Sequence, residues 1–185
     1  SISGASVMAA EQERAQESAV VVTMTAASEP ASGFDPAYGW GAGEHVHEPL
    51  IQSTLLVTNT DLTIGMDLAT DYSVSDDGLT WTVKIRDDVK FTDGEKLTAS
   101  DVAFTYNNCK ENSSVNDFTM LDHAEAVDDT TVEFHMAKPF SPWPYTMAIT
   151  GIVPEHAYDE NYGMNPIGSG RYMPVSYTHL RAHET

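Results

Sequence analysis

The chain has 185 residues, 41% of them hydrophobic and 9% aromatic, which is enough apolar material for a packed core. Its formal charge of −19, with nine Lys and Arg against 28 Asp and Glu, excludes a nucleic-acid interface, because a phosphate backbone needs a basic face. A single cysteine, Cys109, excludes an internal disulfide and a thiolate metal cluster, and no apolar run of about 18 residues is present to span a membrane.

In chain order, the stretch Ala5-Ser6-Val7-Met8-Ala9-Ala10 has the small residues expected around a signal-peptidase site, with Val7 and Ala9 at suitable offsets, and the polar stretch after it suits a flexible spacer. Residues 1–18 are therefore expected to be a signal-peptide remnant or spacer. The β-branched run at 19–26 predicts a buried strand, and the Gly, Pro and aromatic residues of 28–43 predict a loop. Val46, Leu50 and Leu55 predict a helix over 44–54, with Pro49 as its weak point. Asp76-Asp77-Gly78 marks a turn, after which Leu79, Trp81, Val83 and Ile85 alternate with Thr80, Thr82, Lys84 and Arg86, the pattern of a strand buried on one face. Asp93-Gly94 makes another turn. Thr98 and Asp101 have capping-box spacing and open a helix through about Lys110. Segments 124–127 and 131–136 predict a hairpin joined at Asp128-Asp129. Residues 139–145 predict an aromatic, Pro-rich connection. Pro154 opens a short helix to Asp159, and a Gly-rich turn at 166–170 precedes a strand at 171–173. The mixture predicts an α/β or α+β fold without internal repeats. Residues 175–185 match one reading frame of a common transposase-based sequencing adapter, so this segment is expected to be a translation artefact, with the natural protein continuing beyond it.

Several residue groups carry possible chemistry. His45 and His47 could share a metal ion if they lay on a strand, but at a helix start they diverge by about 200° and a third ligand is not evident. The spacing of a metal-dependent hydrolase, His-Glu-x-x-His, is absent. His179 and His183 fall in the adapter-like segment and are not read as a site. Gly168-Ser169-Gly170 reads as a turn rather than a nucleophile elbow, and Gly39, Gly41 and Gly43 lack the basic residue of a phosphate loop. The pairs Asp76/Asp77, Asp87/Asp88 and Asp128/Asp129 all fall at predicted turns, where Asp is favoured by local hydrogen bonding. The remaining acidic excess reads as a solvated surface, with attraction of cationic ligands as its functional alternative. Phe34, Tyr38, Trp40, Phe118, Trp143 and Tyr145 either plug the core or line a cleft, and composition does not separate the two.

The run Asp77-Gly78, Trp81, Arg86, Val89-Lys90-Phe91, Asp93-Gly94 and Thr98-Ala99-Ser100-Asp101-Val102 resembles the signature of the family-5 extracytoplasmic solute-binding proteins, the peptide and nickel receptors of ABC importers. Phe34-Asp35-Pro36, His47-Glu48-Pro49-Leu50, Ile152-Val153-Pro154 and the run from Pro166 to Tyr172 extend the resemblance over about residues 20–173. It implies a type II periplasmic-binding-protein-like α/β fold, here the first lobe plus an extra subdomain with the second lobe missing. The first lobe would take 19–55 and 165–174, and the extra subdomain 56–164. It implies a receptor, not an enzyme, that needs no cofactor and delivers a peptide or small solute to ABC permease subunits. The receptor would lie outside the cytoplasm, in the periplasm or on the outer face of the cell membrane, touching that membrane only through a lipid anchor not present in this chain. Tyr38, Gly39, Trp40, Phe118, Thr150 and Gly151 are the ligand-binding residues it points to. A nickel or metal-chelate receptor is the alternative within the family, weakened because no arginine stands near Thr150. A hydrolase using His45 and His47 is the alternative outside it.

Overall fold

The computed structural model describes residues 33–38, 49, 51–113 and 116–170. The expected strands at 19–26 and 171–173, most of the helix expected over 44–54, and the segment 175–185 lie outside these.

The alternation at 79–86 is realised as strand β4 (Thr80–Ile85), which turns Trp81, Val83 and Ile85 into the core and Thr80, Thr82 and Lys84 outward. It belongs to a four-stranded antiparallel sheet of order β3-β4-β6-β5, with β3 at Ala69–Val74, β5 at Leu121–Asp128 and β6 at Thr131–Met136. Across the β4–β6 ladder Trp81 faces Phe134 and Val83 faces Val132, so the register itself sets the inward row. At the β3–β4 turn, Gly78 N–H donates to Ser75 O (2.8 Å) and Leu79 N–H to the Asp77 carboxylate (3.0 Å). The β5–β6 turn is closed by Thr130 N–H donating to Asp128 (2.9 Å). A separate pair, β1 (Leu56–Thr58) with β2 (Ile64–Met66), is also antiparallel.

Helix α1 (Ala99–Asn112) packs on β5 and β6 through Val102, Ala103, Tyr106 and Cys109. The expected cap is present: Asp101 Oδ2 accepts Thr98 N–H (2.9 Å), and Oδ1 of the same carboxylate accepts Glu155 N–H (2.9 Å), which ties the helix start to the 3₁₀ turn Glu155–Ala157. Asn107 reaches the outer edge of β5, donating to Ala124 O (2.9 Å) and accepting Ala124 N–H (2.8 Å). That side chain satisfies edge groups that would otherwise template another strand. Cys109 is 2% exposed, and burial pushes its thiol up to about 12.

Three expectations are corrected. Residues 51–54 do not continue a helix. Their carbonyls serve other segments, Ile51 O accepting Gly170 N–H (2.7 Å) and Ser53 O accepting Ile152 N–H (2.9 Å), and no i+4 ladder forms. The Pro-rich connection at 139–145 contains the start of a short helix, α2 (Trp143–Met147), whose Pro144 lies in the first turn where its missing N–H costs nothing. Trp143 and Met147, four residues apart, are both buried and fasten α2 to the core. The short helix expected at Pro154 is a single 3₁₀ turn with Pro154 as its cap.

Candidate functional site

Asp35 organises the segment expected to carry ligand contacts. Its Oδ1 accepts Ala37 N–H (2.9 Å), its Oδ2 accepts the Tyr158 hydroxyl (2.6 Å), and its carbonyl accepts Tyr38 N–H (3.1 Å). With Pro36 fixing one φ angle, these bonds hold 35–38 as a tight turn. The turn's last residue, Tyr38, is 42% exposed, whereas Asp35 is 6% exposed. Burial raises the Asp35 carboxyl above its ordinary range, opposed by the bonds from Tyr158 and Ala37.

Other tethers reach the turn from distant parts of the chain. Asn108 on α1 donates to the Tyr158 hydroxyl (3.0 Å). The Gln52 amide donates to Phe34 O (2.8 Å) and to the Tyr162 hydroxyl (3.0 Å), which donates onward to Ile167 O (2.7 Å). Burial raises both tyrosines above the usual phenol range, so each remains a neutral donor. This network is the part that the sequence did not reveal. Asp35 and Tyr158 are 123 positions apart, and no local spacing connects them.

Of the six residues read as ligand contacts, Gly39 and Trp40 lie outside the described residues. Gly151 sits under the Asp35 turn: a Cβ there would come within 2.7 Å of Gln52 Cβ and 3.2 Å of Pro36 Cγ, so only glycine lets these segments meet. Thr150 is buried and donates to Thr146 O (2.8 Å). Phe118 is 4% exposed and lies in the aromatic core, with its ring 6.2 Å from Tyr106 and 6.4 Å from Trp143. Of the other aromatics, Trp143 is buried and Tyr145 exposed. The structure thus brings the Tyr38 turn and Gly151 together and leaves the Phe118 ring in the interior. His45 and His47 lie outside the described residues. Gly168-Ser169-Gly170 is a turn pressed on the Ile51 carbonyl, and a Cβ at Gly168 would stand 2.1 Å from that oxygen. Gln52 and Pro49 also border an open surface cavity of about 790 Å³ that extends toward Asn59, Arg86 and Gly170, away from Tyr38.

The family model of the bacterial extracellular solute-binding proteins, family 5 (middle region), matches residues 63–183. The glutathione-binding protein GsiB of Pectobacterium atrosepticum is 34% identical over 119 residues, which cover 60% of this chain and 23% of that relative. NikZ from Campylobacter jejuni, solved with Ni(L-His), superposes with a TM-score of 0.73 at 27% identity, covering 82% of this chain and 32% of that one. The oligopeptide-binding protein AppA from Bacillus subtilis, solved with a nonapeptide, gives 0.71 at 27% identity over 84% and 34%. The chain therefore spans from about a quarter to a third of the length of these relatives.

Proposed function

The chain belongs to family 5 of the bacterial extracellular solute-binding proteins, and from that premise we propose that it serves as an extracytoplasmic receptor that binds peptides or related small solutes and delivers them to an ABC permease. Its fold is the α/β fold of type II periplasmic binding proteins, of which it spans about a third. Relatives of this family are binding proteins, and the same role, binding without catalysis, is proposed here. The observation that carries the reading is the Asp35 turn. Its own hydrogen bonds occupy the buried carboxylate, and what it presents outward is the ring of Tyr38. A pre-fixed aromatic supplies contact area at little entropic cost. In this reading Tyr38, Gly39 and Trp40 touch the solute. Gly151 lies against Pro36 beneath the 35–38 turn, while Thr150 and Phe118 are buried beside α2 and in the aromatic core.

The names of GsiB and AppA favour a solute with peptide bonds, while the Ni(L-His) bound by NikZ is the observation that keeps a metal-chelate ligand as the second reading. Calorimetry on the product of the complete gene, with glutathione, mixed short peptides and Ni(L-His) as titrants, separates them. Peptide-class binding is expected. Tyr38→Ala should weaken it by about tenfold or more, with little change in thermal midpoint, since the residue is 42% exposed. Binding of Ni(L-His) alone would replace the first reading with the second, and unaltered affinity in Tyr38→Ala would remove the turn from the site.

A further inference from the structure

The outward row of the β5–β6 hairpin carries His123 and Glu125 on one strand and Glu133 and His135 on the other. The register sets His123 opposite His135 and Glu125 opposite Glu133, so the four side chains occupy one square of the sheet surface. The imidazoles stack 12° from parallel with centroids 4.5 Å apart. One ligand atom each from His123, Glu125 and His135 lie within 4.8 Å of one another. His135 Nε2 is 3.3 Å from Glu133 Oε2 and 3.8 Å from Glu125 Oε2, yet it is shielded from solvent and makes no hydrogen bond.

Ordinary surface ion pairing accounts poorly for this arrangement. His135 Nε2 stands within ion-pair range of both glutamates without aligning a hydrogen bond to either. Metal ligation fits the separations once the two rings, nearly parallel here, rotate to aim one nitrogen each at a common point. Two ligands on a tetrahedral ion with bonds of about 2.0–2.1 Å are separated by roughly 3.3 Å, the spacing between His135 Nε2 and Glu133, and the 3.8 Å from His135 Nε2 to Glu125 closes to it with a small side-chain movement. Asp122 supplies the outer support: its Oδ2 lies 2.6 Å from His123 Nδ1, which fixes that ring and leaves Nε2 free as a ligand. Two imidazoles with carboxylate suit a borderline cation such as Zn²⁺, whereas Ca²⁺ and Mg²⁺ favour oxygen ligands throughout.

We propose that His123, Glu125 and His135 form a surface site for a divalent transition-metal ion of the zinc class, with Glu133 or water as the fourth ligand. The ion clamps β5 to β6 from the outer face. The site shares no residue with the Tyr38 turn, so it stands or falls independently of the solute reading.

Titration of the full chain with ZnCl₂, read by calorimetry, tests it. His45, His47, His179 and His183 also offer nitrogen ligands, so the variants His45→Ala/His47→Ala and His179→Ala/His183→Ala serve as controls. One Zn²⁺ per chain is expected, retained in both controls and weakened by at least about 100-fold in His123→Ala and His135→Ala. Asp122→Asn, which leaves every ligand in place, should lose about 10–100-fold. Tetrahedral d–d absorption of Co²⁺ should disappear in the same variants. If a histidine variant loses its circular-dichroism spectrum, Glu125→Gln, at an exposed position, decides instead. Absence of zinc binding by the parent chain, or affinity unchanged in the His123, His135 and Glu125 variants, would overturn the proposal.

Discussion

A single exposed contact shows how protonation enters the stability of this chain. His156 Nε2 lies 2.6 Å from Asp93 Oδ2, joining the turn at Gly94 to the 3₁₀ turn Glu155–Ala157. That hydrogen bond raises His156 above the ordinary imidazole value and lowers Asp93 below the ordinary carboxylate value. The raised His156 contributes fully below about pH 6.5, its unfolded value, and its contribution is lost as pH rises through the folded one. The lowered Asp93 contributes above about pH 3.9, and its contribution is lost as pH falls through its folded value. The pair is therefore strongest between about pH 4 and 6.5. The His156 side chain is 42% exposed, so solvent screening holds the pair's worth to about 1 kcal/mol at most. The difference in thermal midpoint between the parent chain and His156→Ala should be largest near pH 5.5 and shrink by pH 8; a difference growing across that interval would contradict the assignment. At this same scale the sequence was least legible. Tyr38 and Phe118 both sit beside turn and loop residues, but only Phe118 meets Tyr106 and Trp143 in the folded chain, and those partners are remote or not signalled by spacing.

Elements were read well wherever their signals were local. The alternation that became β4, the turn at Gly78, the hairpin at 124–136 and the cap at Thr98 each depend on residues a few positions apart. The helix expected over 44–54 failed within the described residues because the bonding of 51–54 is decided by Ile152 and Gly170, more than 90 positions away. Helix α2 was missed because Pro suggests a break, although in a first turn it is harmless. Asp101 shows how a local signal can conceal a second role. The capping spacing was visible, whereas its bond to Glu155 N–H was not. Asp101→Ala should therefore cost about 2 kcal/mol in urea denaturation, the sum of a lost cap and a lost part-buried hydrogen bond to Glu155 N–H. A loss of under about 1 kcal/mol would mean that only the cap matters.

Across the described residues, one apolar cluster joins Ala37, Leu55 and Ile152 to the sheet residues Val83, Val132 and Phe134 and to Tyr106 and Cys109 on α1. The turn that presents Tyr38 is thus rooted in the same core as the hairpin carrying His123 and His135, although the two sites share no side chain. Family membership was legible from turns, a strand and a cap at fixed offsets, all of them scaffold, and for that reason it said less about the surfaces that choose a ligand. The lone thiol turns this shared core into a chemical clock. Cys109 lies on the buried, sheet-facing side of α1, and burial holds its thiol protonated, so the folded chain offers almost no reactive thiolate. An alkylating reagent must wait for α1 to lift from the sheet, so its rate of reaction should climb with urea along the slope of global unfolding. A rate indifferent to urea would instead show α1 opening by itself, and the one thiol would then time the helix rather than the whole fold.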